Sequence, residues 1–430
     1  MSNTHVEASL EAQAAAPGAY RFLVLALLFI VYAFNFIDRQ ILGILVPAIK
    51  ADMGLTDTQL GWLGGPAFAI FYTALGVPIA WLADRSNRTW IMTVALTVWS
   101  AFTAACGYAQ NFVQLFAARL GVGVGEAGGV APAYSLISDY FPPRERGRAL
   151  AVYSFGIPIG SAAGILIGGL LASQLDWRIA FVAVGLAGIA VAPIFRMLVR
   201  EPQRGRYDAR GAHTAARASF WSAARILIAK PSYWLLSFGA ASSSIMGYGI
   251  FFWMPSFLVR SFAFSVEQVS LYYGAILLLG GVAGVWLGGA LADIMGKKRS
   301  RYALIPAAAF VLTLPCYILG LLSSSPLLAF FLFLPPTALG LMWLGPVITA
   351  VQHLAPANAR TTASALFLFI NNLIGLGLGS LLIGALSDTL TAQFGDEALR
   401  YSILAGTGFY ILAALLMGLA ARFLARDWVD

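Results

Sequence analysis

The sequence predicts an all-α membrane protein with twelve transmembrane helices in two similar six-helix halves. Three observations lead to this fold class. The 430 residues are 60% hydrophobic and 11% charged, whereas soluble domains carry roughly a quarter charged residues. Twelve apolar runs are each long enough to cross a bilayer, and two short motifs recur between the first six runs and the last six. A surface this apolar requires membrane lipid rather than water as its solvent.

A membrane-spanning helix needs ~20 mostly apolar residues, and each predicted span meets this length. The spans of the first half lie at residues 21–48, 60–83, 89–109, 112–141, 149–173 and 179–198. The spans of the second half lie at residues 232–261, 267–295, 302–322, 326–355, 361–387 and 399–424. We therefore predict an N-terminal tail at 1–20, a six-helix half at 21–199, a linker at 200–230, a six-helix half at 231–424 and a C-terminal tail at 425–430.

Lysine and arginine are distributed unequally across the predicted membrane. Both termini and five of the loops share one side, which holds most of the 27 basic residues. The opposite side holds only Lys50, Arg178, Arg260 and Arg400. Because basic loops stay in the cytoplasm, we predict cytoplasmic tails, a cytoplasmic linker and a place in the plasma membrane, which is the inner membrane of a bacterium. The net charge of +8 is then a topology signal, and we expect no nucleic-acid partner.

The sequence lacks the signatures of catalytic and cofactor sites. Cys106 and Cys316 are far apart in apolar runs, and the three histidines do not have the spacing of metal ligands. We find neither a phosphate-binding loop nor a nucleophile elbow. We therefore expect no enzymatic activity, no metal and no cofactor. We also expect a monomer.

Two motifs repeat between the halves. The loop after the second span and the loop after the eighth both contain Leu-Ala-Asp followed by a short turn and basic residues, with the aspartates at Asp84 and Asp293. A pair of prolines ten residues apart, which begins at Pro132, recurs at Pro346. The two offsets, 209 and 214 residues, are nearly equal, which indicates a duplicated six-span unit. Repeated halves around a central site are typical of secondary transporters.

Both loops resemble the G-x-L-A-D-R-x-G-R-[RK] signature of the major facilitator superfamily. The second copy is nearly complete, whereas the first has Ala80 and Asn87 at the two glycine positions. The resemblance implies the major facilitator fold and a gating role, in which charge pairs of these loops lock the outward-open state. The gating residues would be Asp84, Arg85, Arg88, Asp293 and Lys297. The alternative is that the loops only cap tight turns and supply positive charge.

Four ionisable side chains lie well inside the predicted spans, with Asp38 and Arg39 in span 1 and Arg119 and Glu126 in span 4. Charged groups at this depth are costly and most often functional. Arg119 and Glu126 are seven residues apart, so they share one helix face about 10.5 Å apart along the axis. The economical arrangement pairs an acid of one span with an arginine of the other across a central cavity. The alternative is a structural network that only fixes span 1 against span 4.

We predict that this charged cluster couples transport to protons. Burial favours the neutral form of a carboxyl group, whereas a nearby arginine favours its charged form. An acid that loses its arginine partner during transport therefore takes up a proton. We assign the main proton carrier to Asp38 and the second to Glu126. Arg39 and Arg119 would be the charge partners, and one of them would hold an anionic substrate head group.

The second half has no charges at the equivalent depth. Its spans instead contain aromatic and amide side chains that would form the opposite cavity wall, namely Tyr248, Trp253, Phe367, Asn371 and Asn372. A cavity with one charged wall and one aromatic wall fits an amphiphilic substrate with a charged head and an apolar body. The alternative is that these rings face lipid or the helix core.

Two short segments resemble the spinster family within the superfamily, Phe34–Arg39 in span 1 and Gly123–Ala127 in span 4. That family is associated with the export of lysolipids and sphingolipids, so the resemblance implies a small lipid-like substrate that is exported by alternating access. The alternatives are a drug/proton antiporter, an organic-anion/proton symporter, a passive facilitator, a channel and a non-transporting membrane sensor. The membrane-depth acids argue against a passive facilitator, and the short loops argue against a sensor.

Overall fold

The computed structural model describes residues 18–207, 220–295, 298–356 and 359–429. These residues form helices joined by short turns, and no β-strand occurs in the described ranges. The predicted gating residue Lys297 lies outside the described residues, and so does the side chain of Asp293.

The first half contains six spans, three of which are broken into two helices. Spans 1, 3 and 6 are Gly18–Met53, Arg88–Cys106 and Trp177–Leu198. Span 2 consists of Asp57–Gly64 and Pro66–Ala83, span 4 of Phe112–Glu126 and Val130–Tyr140, and span 5 of Pro143–Ser154 and Gly156–Gln174. Each break lies at or beside a glycine, the residue that best tolerates irregular backbone.

The second half follows a short helix at Phe220–Ile228. Spans 7, 8 and 9 are Pro231–Phe262, Val266–Met295 and Arg301–Leu322. Span 10 consists of Pro326–Met342 and Leu344–His353, and span 12 of Ala398–Gly406 and Gly408–Asp427. Span 11 consists of Arg360–Asn371, a π-helical turn at Asn372–Leu376 and Gly377–Phe394.

Ten segments of the described chain are long and apolar enough to cross a membrane. One of these, Thr362–Asp427, has 66 residues and contains both span 11 and span 12. Span 4 is not among the ten because its break leaves helices of 15 and 11 residues. The difference from the twelve predicted spans therefore comes from the break in span 4 and from the joining of spans 11 and 12. The all-helical membrane architecture is confirmed.

The two halves meet closely at one end of the molecule. We call the end that carries the first and last described residues the terminal end, and the opposite end the distal end. At the distal end, Asp57–Gly64 of span 2 packs on Gly377–Phe394 of span 11. A side chain at Gly61 would lie 2.7 Å from the carbonyl oxygen of Ser380, so this approach requires a glycine. The Ser380 hydroxyl donates a hydrogen bond of 2.9 Å to the carbonyl of Gly61.

Candidate functional site

Close helix packing brings the charged part of span 4 into the centre of the first half. A side chain at Gly123 would collide with the carbonyl oxygen of Phe68 in span 2, and one at Gly125 would collide with the backbone of Trp99 in span 3. Glycine permits this approach because it has no Cβ, as is common at helix contacts in membranes. Glu126, the next residue, is consequently fully buried.

The structure brings together one of the predicted acid–arginine pairs. Arg39 Nε donates a hydrogen bond of 2.8 Å to Glu126 Oε2, which joins span 1 to span 4. The Glu126 side chain is 0% exposed, whereas the Arg39 side chain is 13% exposed. Charge-assisted hydrogen bonds of this length are among the stronger ones in proteins. Arg39 is thus the member of the pair that reaches open space.

Asp38 is the other acid of the cluster and is also buried. Neither of its carboxylate oxygens has a hydrogen-bond partner among the described residues. Glu126 and Arg119 are its charged neighbours, and the polar groups of Trp99 and Thr103 lie beside it. An ionised carboxylate that is buried without donors carries a penalty of several kcal/mol, so this position is a costly one for a fixed negative charge.

Arg119 lies close to the acids without forming an ion pair to any described carboxylate. Its Nε is 3.5 Å from the carbonyl oxygen of Leu63, and its guanidinium lies 5.5 Å from the ring centre of Phe68. Only 2% of the residue is exposed. Arg119 therefore supplies positive charge to the cluster at a distance, and the predicted direct pairing falls to Arg39 alone.

Aromatic rings surround Arg39. Its guanidinium lies 5.1 Å from the ring centre of Phe36, 4.8 Å from that of Phe68 and 4.8 Å from that of Tyr72. The negative faces of aromatic rings attract cations, so these contacts hold Arg39 in place.

Sequence reasoning did not find a group of tyrosines beside this site. The tyrosine cluster consists of Tyr32, Tyr72, Tyr134 and Tyr153, which come from spans 1, 2, 4 and 5. Tyr32 and Tyr153 stack at 4.2 Å, and Tyr134 meets Tyr153 edge-on at 5.6 Å. Tyr134 is 43% exposed although it lies among these rings, which indicates that it faces a cleft. The available signal was the seven-residue spacing of Tyr32 and Arg39, which is two helical turns.

The predicted wall in the second half is only partly open. Tyr248 is near enough to Arg39 for the two side chains to interact electrostatically. Asn371 is buried and its side-chain oxygen accepts a hydrogen bond of 2.9 Å from Ser244, while Asn372 beside it is half-buried. Trp253 and Phe367, predicted to line the cavity, are instead fully buried.

Both buried rings have packing roles. Trp253 Nε1 donates a hydrogen bond of 2.7 Å to the carbonyl of Ser380, which ties span 7 to span 11. Phe367 packs edge-on against Trp343 at 6.5 Å between ring centres. Neither ring can touch a substrate in this arrangement, because a residue with no exposed surface has no free face.

At the terminal end, the loop after span 2 is held by span 4 and by the segment that follows span 6. Arg88 is 1% exposed and pairs with Asp139 at 2.5 Å and with Glu201 at 2.6 Å. Arg85 is exposed, donates to the carbonyl of Trp81 at 3.1 Å and lies over that ring. Asp84 ends the span 2 helix as its C-cap residue.

The segment that follows span 6 reinforces this loop. Arg204 donates hydrogen bonds to the carbonyl groups of Ala83, Asp84 and Ser86. These carbonyls include the last ones of the span 2 helix, which carry partial negative charge. The loop at Asp84, predicted to gate, is thus held in place by a cation of the linker that follows span 6.

A second charged cluster, at the distal end, joins the halves. Asp57 accepts hydrogen bonds from Lys50 at 2.5 Å, from Arg260 at 2.6 and 2.7 Å, and from Ser387 at 2.7 Å. Asp388 accepts hydrogen bonds from the backbone N–H of Asp57 at 3.0 Å. We call these five residues the distal charge cluster. Asp57 precedes the second apolar run, at residues 60–83, where an acid is common in the first turn of a helix, so its role was not predicted.

Comparison with known proteins identifies the family. The Major Facilitator Superfamily model matches residues 28–380. An MFS-type efflux pump of Mycolicibacterium smegmatis is 33% identical over 398 residues, covering 92% of this chain and 91% of the relative. Human protein spinster homolog 1 is 29% identical over 408 residues, covering 89% of this chain and 77% of the relative.

A solved structure agrees with these relatives. It is the crystal structure of a bacterial homolog of the human lysosomal transporter spinster, in an inward-facing and unoccupied conformation. It matches this chain with a TM-score of 0.86 and 31% identity over 96% of this chain and 100% of that chain. The predicted fold and family resemblance are confirmed, and so is the expectation that the protein is not an enzyme. The chain belongs to the Major Facilitator Superfamily and is a membrane transporter of the spinster type.

Proposed function

We propose that the protein is a proton-coupled secondary transporter that exports an amphiphilic, lipid-like substrate of the lysolipid or sphingolipid type by alternating access. The main support for this proposal is a pair of buried acids, Asp38 and Glu126, beside two arginines. Arg39 holds Glu126, whereas both oxygens of Asp38 lack a hydrogen-bond partner in the described part of the chain. A passive facilitator gains nothing from such costly groups at membrane depth.

Charge balance within the cluster supports the proton role. With both acids ionised, two negative and two positive charges cancel. Coulomb interactions are strong where water is scarce, so a change of one charge calls for a compensating change. A proton on Asp38 leaves one excess positive charge, which repels a cationic head group. A cationic head group adds the same charge as a proton, so proton and substrate would occupy the cluster alternately.

The surroundings of the cluster suit an amphiphile. The charged groups would meet the polar head, and the partly exposed rings of Tyr32, Phe36, Tyr72 and Tyr134 would meet the apolar body. Tyr248 and Asn372, which are half-buried, would face the substrate from the second half. Alternate occupation by proton and substrate drives export when the proton gradient points inward, and the name of the mycobacterial relative, an efflux pump, supports that direction.

The contact between the halves indicates which end is closed. The cross-half hydrogen bonds formed by Asp57, Gly61 and Asp388 all lie at the distal end. The excess of basic residues at the terminal end supports a cytoplasmic location for the termini. We propose that the protein acts as a monomer in the plasma membrane and that this arrangement is its inward-facing state. The loops of Asp84 and Asp293 would then lock the opposite state.

A second candidate function is the cotransport of an organic anion with a proton. It is favoured by Arg39, whose side chain is 13% exposed while that of Glu126 is fully buried. An anionic head group that took Arg39 from Glu126 would leave an excess negative charge. A proton on Glu126 would restore neutrality, so anion and proton would move together.

Flux in proteoliposomes with an imposed pH gradient separates the candidates. Fluorescent sphingosine, lysophosphatidylcholine and lysophosphatidic acid supply cationic, zwitterionic and anionic head groups. Proton exchange predicts uphill accumulation in the more acidic compartment. Cotransport predicts accumulation in the more alkaline compartment. Protein-dependent flux that is the same with and without the pH gradient for all three lipids would overturn proton coupling. If the protein moved none of the three lipids, a non-transporting sensor would be the better interpretation.

A further inference from the structure

A groove runs along the outer surface of the first half, between span 1 and span 5 at the terminal end. Its volume is about 480 Å³, within the range of roughly 300–1,000 Å³ that small-molecule sites occupy. One side is a continuous face of span 1, and the other is a face of Pro143–Ser154. The apolar lining includes Phe22, Leu25, Ala26, Phe29, Ala149 and Val152.

Charged side chains occur only in the part of the lining that belongs to Pro143–Ser154. Glu145 and Arg148 both line the groove. Glu145 forms an ion pair of 3.0 Å with Arg21, so its charge is balanced. Arg148 is exposed and has no ion-pair partner in the described ranges. The groove therefore presents one uncompensated cation above an apolar slot.

The position of Arg148 suits a lipid head group. It lies in the second turn of its helix, and Phe22 lies near the start of span 1, so both are close to the membrane surface. Arginine binds phosphate and carboxylate through a planar fork of donors. Phe29 and Val152 lie one to two turns deeper, where acyl chains are found.

We propose that this groove binds a membrane lipid with an anionic head group, which pairs with Arg148 while an acyl chain lies along Phe22, Leu25 and Phe29. The deeper lining residue Val152 is next in the chain to the tyrosine cluster. Tyr153 follows Val152 in the chain, is 1% exposed and stacks on Tyr32. A bound chain would thus lie against the helix that holds Tyr153 on Tyr32.

A second surface groove provides a contrast. It lies between spans 2, 3 and 4, is lined by Ile79, Trp90, Val94 and Gly128 among others, and has a volume of about 370 Å³. Its lining contains no charged residue. Bulk lipid is sufficient to cover it, because nothing there distinguishes one head group from another.

The test is equilibrium binding of fluorescent phosphatidylglycerol to the full-length protein in detergent. We expect Arg148→Gln to weaken binding about tenfold, the factor associated with one charge-assisted hydrogen bond. Arg148→Lys should recover most of the affinity, since it restores the charge. Ala26→Trp, which fills the groove, should abolish saturable binding.

Matched controls make the result decisive. Arg144→Gln removes an exposed cation from the same helix outside the groove, and Val94→Trp fills the uncharged groove, so both should bind like the wild type. Diacylglycerol with the same chains should bind much more weakly than phosphatidylglycerol. The proposed site would be overturned if Arg144→Gln and Arg148→Gln lost the same affinity for phosphatidylglycerol. It would also be overturned if the wild type bound diacylglycerol and phosphatidylglycerol equally well. Asp38→Asn should bind phosphatidylglycerol normally, so this result is independent of proton coupling.

Discussion

Arg260 donates two hydrogen bonds, of 2.6 and 2.7 Å, to the two carboxylate oxygens of Asp57. The pair links span 7 of the second half to span 2 of the first, and only 2% of the Asp57 side chain is exposed. Two parallel hydrogen bonds between a guanidinium and a carboxylate fix both distance and orientation. The halves cannot separate at the distal end without breaking this pair.

Asp57→Asn should therefore favour opening at the distal end. The substitution removes the negative charge that Lys50 and Arg260 share. We expect the free energy that stabilises the closed distal end to fall by about 1–3 kcal/mol. This is below the 3–5 kcal/mol of a fully buried pair because both cations are partly exposed. Ser380→Cys, in a background without Cys106 and Cys316, reports the opening. A maleimide that cannot cross the membrane should label it several-fold faster in Asp57→Asn.

The control for this experiment is Asp52→Asn. Asp52 is exposed and pairs with Arg178 at 2.7 Å within the first half. Losing this surface pair should cost well under 1 kcal/mol and should not change labelling. Unchanged labelling in Asp57→Asn would mean that packing around Gly61, rather than charge, closes the distal end.

Asp38→Asn should abolish the response of transport to a pH gradient while leaving the fold intact. The substitution keeps the shape of the side chain and removes its ability to exchange a proton. Because the Asp38 carboxylate accepts no hydrogen bond from a described residue, we expect the melting temperature in detergent to stay within a few degrees of the wild type. Gradient-driven accumulation at the wild-type level would eliminate Asp38 as the proton carrier.

Arg39 and Glu126 should show strong thermodynamic coupling. Glu126→Gln leaves the Arg39 cation without its partner, and Arg39→Gln leaves the fully buried Glu126 carboxylate without its donor. Each single change should destabilise the protein by about 3–5 kcal/mol. The double variant removes both charges, so we expect it to be more stable than the additive sum by about 1–3 kcal/mol. Melting temperatures of the four proteins measure this, and additive losses would show that the pair is not a coupled unit.

The transmembrane spans and the membrane-depth charges could be predicted from the sequence, whereas the pairing of those charges could not. The spans follow from hydropathy, because a helix in lipid must be apolar over its whole length. The membrane-depth charges also stand out because they are rare. The choice of Arg39 rather than Arg119 as the partner of Glu126 depends on helix rotation, which spacing within one span does not determine.

Other parts of the site gave no usable signal. Asp57 resembles an ordinary helix-start residue, and its partners Arg260 and Asp388 are distant in the sequence. Aromatic residues are common in membrane helices, so Tyr134 and Tyr153 could not be distinguished from packing residues. For the same reason Trp253 and Phe367 were placed in the cavity wall, whereas the structure buries them completely.

Arg88 and Arg85 should respond very differently to substitution, although both belong to the predicted gating loop. Arg88 is buried and its guanidinium bonds to Ser135, Asp139 and Glu201. Arg88→Gln leaves Asp139 and Glu201 without their cation, so the free energy of unfolding should fall by about 3–5 kcal/mol. This loss should be measured as a large fall in melting temperature. Arg85→Gln removes an exposed side chain and should change stability by less than about 0.5 kcal/mol. Arg88→Lys should restore little, because lysine lacks the fork that reaches several acceptors at once. A stable Arg88→Gln variant with altered transport would instead assign Arg88 to gating rather than to the fold.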